Sequence, residues 1–401
     1  MRPSGAGSVH LTYCTNIHPG ETWAEVRQNL SEHVLRVKAL VAPQQRFGIG
    51  LRLSADAART LVVAAVLDEL RAFLADHDLY VFTINGFPYG RFHGARVKED
   101  VYRPDWLEEE RLAYTDALAR ILSALLPPGL AGSVSTVPGC FRPRARERGA
   151  LAGMADRMIR HAATLVRLDR ELGKCVTLAL EPEPFCVFET VAETVGFFEE
   201  RLFTHAAAAR LAALSGLGNP AAEAALRRHL GVCLDACHAA VEFEDPAEAV
   251  FALRRAGIAI AKVQVSAGLK VEPPSASHRA ALLPFAEDVY LHQVVARQGA
   301  ELRRYADLGD ALGDPTAASA DEWRIHFHVP LFREELGPFR NTQGFLRDLL
   351  RIQEKDAIST HLEVETYTWH VLPAAYRGQD VAEDVAREMR WTLDALHATA
   401  G

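Results

Sequence analysis

The stretch CVTLALEPEP, residues 175–184, decides the fold: an apolar run, strand-like in length, stops at Glu181, with Glu183 two residues on. A short apolar run of this kind is what a parallel strand covered by helices looks like in sequence. The arrangement recurs outward from it. Toward the C-terminus, GVCLDA (231–236) presents Asp235, IAIAKVQVSA (258–267) carries Gln264, and STHLEVET (359–366) carries Glu363 and Glu365. Toward the N-terminus, VHLTYC (9–14), FGIGLRLS (47–54), LYVFTING (79–86) and GSVSTVP (132–138) supply four more strands. Amphipathic segments with helical character separate them, near 22–41 (opening at Thr22 before Trp23), 55–77, 107–126, 150–172, 190–215, 219–229, 246–256, 340–356 and 379–398.

Eight strands, each followed by a helix, predict an α/β fold closed into a (β/α)₈ barrel. An open dinucleotide-binding sheet is the weaker reading, because no glycine-rich fingerprint follows the first strand. No linker or composition break divides residues 1–401, so one barrel domain is expected. Such a barrel needs about 250 residues. The surplus falls at 84–107, after the third strand, and at 267–335, after the seventh. Both excursions leave the carboxyl ends of strands, where long ordered loops serve as lids or substrate walls.

Composition narrows the partners. Hydrophobic residues make up 49% and charged residues 24%, which is ordinary for a globular chain. A net charge of −8 without a basic run argues against nucleic acid, whose binding needs clustered Lys and Arg. No stretch has the length of apolar sequence a membrane span requires, and MRPSGAGSVHLTYC lacks the apolar centre of a secretory leader. The six cysteines form no CxxC pair and read as free thiols in a reducing cytoplasm. Homo-oligomer formation is left open.

The chemistry sits at the strand ends. Glu181, Asp235, Gln264 and Glu365 would converge on one rim, with Glu183, Glu363 and His238 close by. Carboxylates in a barrel mouth are costly unless paired, hydrogen-bonded or metal-bound. Four successive strands converging such groups suggest a divalent cation; the bland alternative is that the acids cap helices or pair with bases. Oxygen-rich ligands favour Mn²⁺, Mg²⁺ or Co²⁺ over a thiolate zinc site, with Zn²⁺ the remaining choice.

These motifs resemble the xylose-isomerase-like TIM barrels, a superfamily of sugar isomerases and epimerases, inosose-processing enzymes and the endonuclease IV group. GVCLDACHA is similar to the strand-six Asp-x-x-His motif of the endonuclease IV branch, and LEVETY to its final Glu-Thr motif. With NGFPYGRFHG, VKEDVYRPDW and LEPEPF, the chain looks like the EboE-type metabolite traffic proteins, associated with bacterial secondary metabolism. The resemblance implies a metal held by Glu181, Asp235, Gln264 and Glu365, with Glu181 and Glu365 as the catalytic pair that removes and returns a proton beside a carbonyl. The superfamily usually has His where Gln264 stands. The ends of the third and fourth strands, Ile84-Asn85-Gly86 and Val137-Pro138-Gly139, lack the histidines of a multi-zinc phosphodiesterase. HFHVPLF supplies His326 and His328, which with His238 can be metal ligands, substrate contacts or, for His238, a group orienting Asp235.

Substrate contacts are expected from Asn85, Arg91, His93, Lys98 and Tyr102 in the third-strand excursion, from Glu183, and from Trp369 beside Tyr367 and His370. Tyr13, Asn16 and His18 follow the first strand toward the same rim, whereas His10 reads as a barrel residue. For the clusters at 13–18 and 367–370 plain packing is the favoured alternative. The expectation is a metal-dependent isomerase or epimerase of a small polyhydroxylated carbonyl metabolite. A barrel that carries a metabolite without converting it is the alternative, and a metal-dependent phosphoesterase a third.

Overall fold

The computed structural model describes residue 1 and residues 9–146 and 149–397. The chain begins with seven strands, β1 (His10–Tyr13), β2 (Phe47–Arg52), β3 (Leu79–Asn85), β4 (Gly132–Thr136), β5 (Val176–Leu180), β6 (Leu230–Asp235) and β7 (Ala259–Val265). Six more follow: β8 (Gly268–Val271), β9 (Val294–Gln298), β10 (Glu301–Tyr305), β11 (Glu322–His328), β12 (Glu335–Leu336) and β13 (Phe339–Asn341). The last, β14 (His361–Val364), returns to the first group.

The eight strands expected from the sequence make one parallel sheet in the order β1-β14-β7-β6-β5-β4-β3-β2. The fold is an α/β barrel. At its seam β1 pairs with β14 on one side, His10 opposite His361, while on the other Cys14 bridges Gly50. The Thr12 hydroxyl completes that second side, donating to Gly48 O at 2.7 Å and accepting from Gly50 N at 3.0 Å. Glycine is needed at position 50 because a Cβ there would stand 1.8 Å from Glu363 Oε1 and 2.7 Å from Tyr13 O.

The barrel interior is polar at mid-height. Lys262 Nζ lies 2.5 Å from Glu363 Oε2, both side chains fully buried, and 3.4 Å from Ser135 Oγ. Burial alone would lower the lysine, but the facing Glu363 carboxylate holds it above its usual range. His10 belongs to the layer below, its Nδ1 2.7 Å from the Tyr80 hydroxyl.

Helices alternate with the barrel strands as the periodicity predicts. Thr22 and Glu25 form a reciprocal capping box at the start of Trp23–Asn29. The helix expected over 55–77 is two, Ala55–Leu61 and Ala64–Asp76, with Val63 extended between them. Residues 2–8, part of the segment read for a leader, and residue 398, the end of the last expected helix, lie outside the described residues.

The excursion after β7 departs from the expectation of a lid loop ending near residue 335. It is an antiparallel sheet of its own, β10-β9-β11-β8-β13-β12, running to Asn341. The helix expected between the seventh and last barrel strands follows this sheet, at Gln343–Asp356. This sheet shares the barrel's core: Leu269, Trp323 and Phe327 belong to the same buried apolar cluster as Leu180, Leu234 and Val263. It is also stitched to the other excursion, since Val97 N and Lys98 N both donate to Val289 O, at 2.8 and 2.9 Å. Among the described residues no helix is long and apolar enough to cross a membrane, and the six cysteines are unpaired.

Candidate metal centre

The carboxyl ends of β5, β6 and β14 bring three acids together. Glu181, Asp235 and Glu365 are buried, and one carboxylate oxygen from each lies within 4.8 Å of the others. Each is held differently. Asp235 caps the helix Ala236–Val241: its Oδ1 accepts from His238 N at 3.0 Å and from Ser266 Oγ at 2.7 Å. Its other oxygen, Oδ2, has no hydrogen-bond partner among the described residues, so one carboxylate is both helix cap and open donor. Glu365 Oε1 accepts from the amides of Asn16 at 2.7 Å and Asn85 at 3.0 Å. Glu181 Oε2 has no partner.

Gln264 stands beside Asp235 in the β6–β7 register and beside Glu363 in the β7–β14 register. It is fully buried and neither amide atom has a partner among the described residues. Buried polar atoms without partners are rare and costly. Three such oxygens, Glu181 Oε2, Asp235 Oδ2 and Gln264 Oε1, at the ends of adjoining strands and beside Glu365, are what a hard cation would satisfy.

Charge crowding has the expected consequences. Burial, with Asp235 adding to it, pushes the Glu181 carboxyl up to about 8. Burial and the neighbouring Glu181 and Asp235 charges hold Glu365 well above the carboxylate range. Burial works against Asp235 ionising too, yet His238, His328 and its two hydrogen bonds hold it below its usual value. For His238 burial favours the neutral ring, but Asp235, Glu183 and Glu181 outweigh it and raise the imidazole.

A second set of donors adjoins the first. His238 Nδ1 lies 2.9 Å from Pro182 O, His326 Nδ1 2.8 Å from Gln293 Oε1, and His328 Nδ1 2.7 Å from Glu365 O. A carbonyl accepts only, so each Nδ1 carries the proton, and in the neutral ring Nε2 keeps its lone pair. Nε2 of His326 and of His328 has no partner. Burial, reinforced by the adjacent imidazoles, holds His326 well below its normal range, and burial lowers His328 to about 4, so both rings stay neutral. Ligand atoms of Asp235, His238 and His328 lie within 4.8 Å of one another, as do those of Glu183, His238 and His326.

Above this floor opens a narrow cleft of about 50 Å³. Glu181, Glu183, His238, His326 and Glu365 line it, with Asn85, Lys98 and Tyr102 from the third-strand excursion. Three expected contacts lie elsewhere. Arg91 is exposed over a separate surface groove. His93 is half-buried, its ring nitrogens 2.5 Å from Asn16 O and 2.8 Å from the Tyr290 hydroxyl. Trp369 is buried against Phe332. All three were expected from loop composition, which gives no direction to a side chain. Of the residues read only as rim neighbours, Asn16 and Tyr367 reach the cleft, while Tyr13 and His18 bond each other at 3.0 Å.

The sequence reading missed Gln293, whose amide donates to the Tyr102 hydroxyl at 2.7 Å and to Pro184 O at 3.1 Å while its oxygen orients His326. It also missed Tyr290 and Leu291 in the cleft wall. Lys262 was legible in principle, as a charge in the middle of an apolar strand.

No family model matches the chain, and no curated protein matches it significantly. Solved structures similar to it are barrels. A xylose isomerase-like TIM barrel protein from Mycobacterium smegmatis in complex with magnesium is 13% identical, with all of both chains covered and a TM-score of 0.49. A D-tagatose 3-epimerase-like protein is 10% identical, covering 98% of this chain and 100% of its own, with a TM-score of 0.48. An IolI protein with a bound zinc atom is 12% identical over 97% of this chain and 99% of its own, with a TM-score of 0.45. At such identities and TM-scores no activity or ligand transfers from them.

Proposed function

We propose that the chain is a divalent-metal-dependent isomerase or epimerase that moves a proton at a carbon next to a carbonyl. The observation that carries this is the meeting of Glu181, Asp235 and Glu365 at the cleft floor, with Glu181 Oε2 and Asp235 Oδ2 lacking a hydrogen-bond partner among the described residues. Those three acids, with Gln264 behind them, would hold the cation. Bound there, it would polarise a carbonyl oxygen and stabilise the charge left when the adjacent C–H loses its proton.

The chain's own residues do the rest. Glu181 and Glu365 are the carboxylates placed to take the proton and return it. Asn16 and Asn85 fix the Glu365 carboxylate by binding one oxygen from two sides. Tyr102 donates to Glu183 Oε1 at 2.7 Å and so holds that second acid away from the floor oxygens. The loop motifs NGFPYGRFHG and VKEDVYRPDW place the chain, as part of the same proposal, in the EboE-type branch and in secondary-metabolite handling.

Protein purified without a metal-chelating tag should contain about one divalent ion per chain. With Mn²⁺ it should exchange substrate C–H for solvent deuterium in a panel of α-hydroxy ketones and inososes, and Glu181→Gln and Glu365→Gln should abolish that exchange. Protein that refuses Mn²⁺ sinks the reading, and ligand binding without exchange turns it into a carrier. The imidazole cluster favours one second reading. With all three Nδ1 protons donated to carbonyls, His238, His326 and His328 can hold another cation, and two ions per chain with cleavage of bis-p-nitrophenyl phosphate would make the protein a phosphoesterase.

A further inference from the structure

We infer that the cleft takes a ligand with a chelating hydroxy-carbonyl head and an uncharged, apolar, planar body, rather than a polyol chain or its phosphate. The head rests on the metal reading given above; the body follows from the walls. Phe92, Tyr290 and Tyr367 form a three-ring cluster with centroids 5.1 to 5.2 Å apart. Phe87, Val101 and Leu291 continue the apolar wall.

Most polar groups among these walls are already engaged, the Tyr367 hydroxyl being the one left open among the described residues. The Tyr102 hydroxyl donates to Glu183 and accepts from Gln293, and the Tyr290 hydroxyl is 2.8 Å from His93 Nδ1. Lys98, the one lysine or arginine lining the cleft among the described residues, donates to Asp307 Oδ2 at 2.6 Å and to Glu287 O at 2.9 Å. Its charge is therefore neutralised within the protein. The cleft's other polar atoms without partners lie on the floor, among them Asn16 Oδ1, Glu181 Oε2 and His326 Nε2. A polyol tail would give up water for walls that offer its several hydroxyls a single open partner, the Tyr367 hydroxyl, at a loss of about tenfold in affinity for each buried group left unpaired. A phosphate would face three buried glutamates with no free cation to receive it.

The test is a matched series sharing the α-hydroxy ketone head: 2-hydroxyacetophenone, erythrulose and fructose 6-phosphate, titrated calorimetrically into metal-free and Mn²⁺-loaded protein. 2-Hydroxyacetophenone should bind at least tenfold more tightly than erythrulose in both forms, since the walls do not depend on the ion, and fructose 6-phosphate should gain nothing over erythrulose. Phe92→Ala should lower 2-hydroxyacetophenone affinity about tenfold without changing Mn²⁺ content, and Phe92→Leu should fall between. Equal or tighter binding of erythrulose or the phosphate overturns the inference. The expected order, held with no response to Mn²⁺, supports the apolar body while overturning the metal reading.

Discussion

Removing one partner of the Lys262–Glu363 pair should destabilise the barrel far more than removing both. The two charges are fully buried and 2.5 Å apart. At an effective dielectric constant of about 20 their gross attraction is roughly 6–7 kcal/mol, most of it offset by the cost of taking two ions out of water. Lys262→Met leaves Glu363 as a buried charge, with Gly50 packed against its Oε1 and no room to move toward that wall. The expected cost is about 3–5 kcal/mol. Glu363→Met strands the lysine at a similar cost. The double variant removes both desolvation penalties and fills the space with unbranched apolar chains, so it should lie within about 1 kcal/mol of the parent. Urea unfolding of all four proteins at pH 7, followed by fluorescence and far-UV circular dichroism, gives the cycle directly. Single variants within 1 kcal/mol of the parent, or a double variant as weak as the sum of the singles, would refute a mutually neutralised buried pair.

Three other outcomes are expected. Mn²⁺ affinity should rise with pH through about 8, by up to tenfold per unit for each proton displaced, because the raised Glu181 and Glu365 carboxyls must ionise to ligate; calorimetry in buffers of different ionisation enthalpy should show that proton release, and a pH-independent affinity would contradict it. Burial holds Glu388 up to about 8, above an unfolded value of about 4.3. Its contribution is complete below the unfolded value and is lost as pH rises through about 8, so Glu388→Gln should raise the melting temperature more at pH 8 than at pH 5. Gly50→Ala should cost about 3 kcal/mol or more in urea unfolding, since the new Cβ meets Tyr13 O as well as Glu363.

The barrel was legible because its strands are apolar runs that end in acids, and that signal is local. Val176–Leu180 followed by Glu181 and Leu230–Asp235 followed by a short helix stand out without any partner in view. The second sheet was not, because strands such as ELRRY (301–305) lie half-exposed and carry three charges in five residues without clean alternation. Such a strand is stabilised by its neighbours, β9 and β11, rather than by its own composition. The same division runs through the site. Glu181, Asp235 and Glu365 are found by where they sit in a strand, whereas Gln293 acts through His326 and Tyr102, at sequence separations no pattern reports. Arg91, His93 and Trp369 show the converse: residues suited to binding, pointed elsewhere by packing.

The Asn16–Glu365 hydrogen bond joins side chains 349 residues apart, across the seam where β1 meets β14. A chain emerging from the ribosome therefore makes most of its barrel before it owns a cleft floor. Whatever ties Glu365 to Glu181 also clasps the two ends of the barrel together. Occupancy of the floor and closure of the ring are then one event, so a ligand that binds should slow opening at the seam first, in the amide exchange of β1 and β14, before it protects the far side.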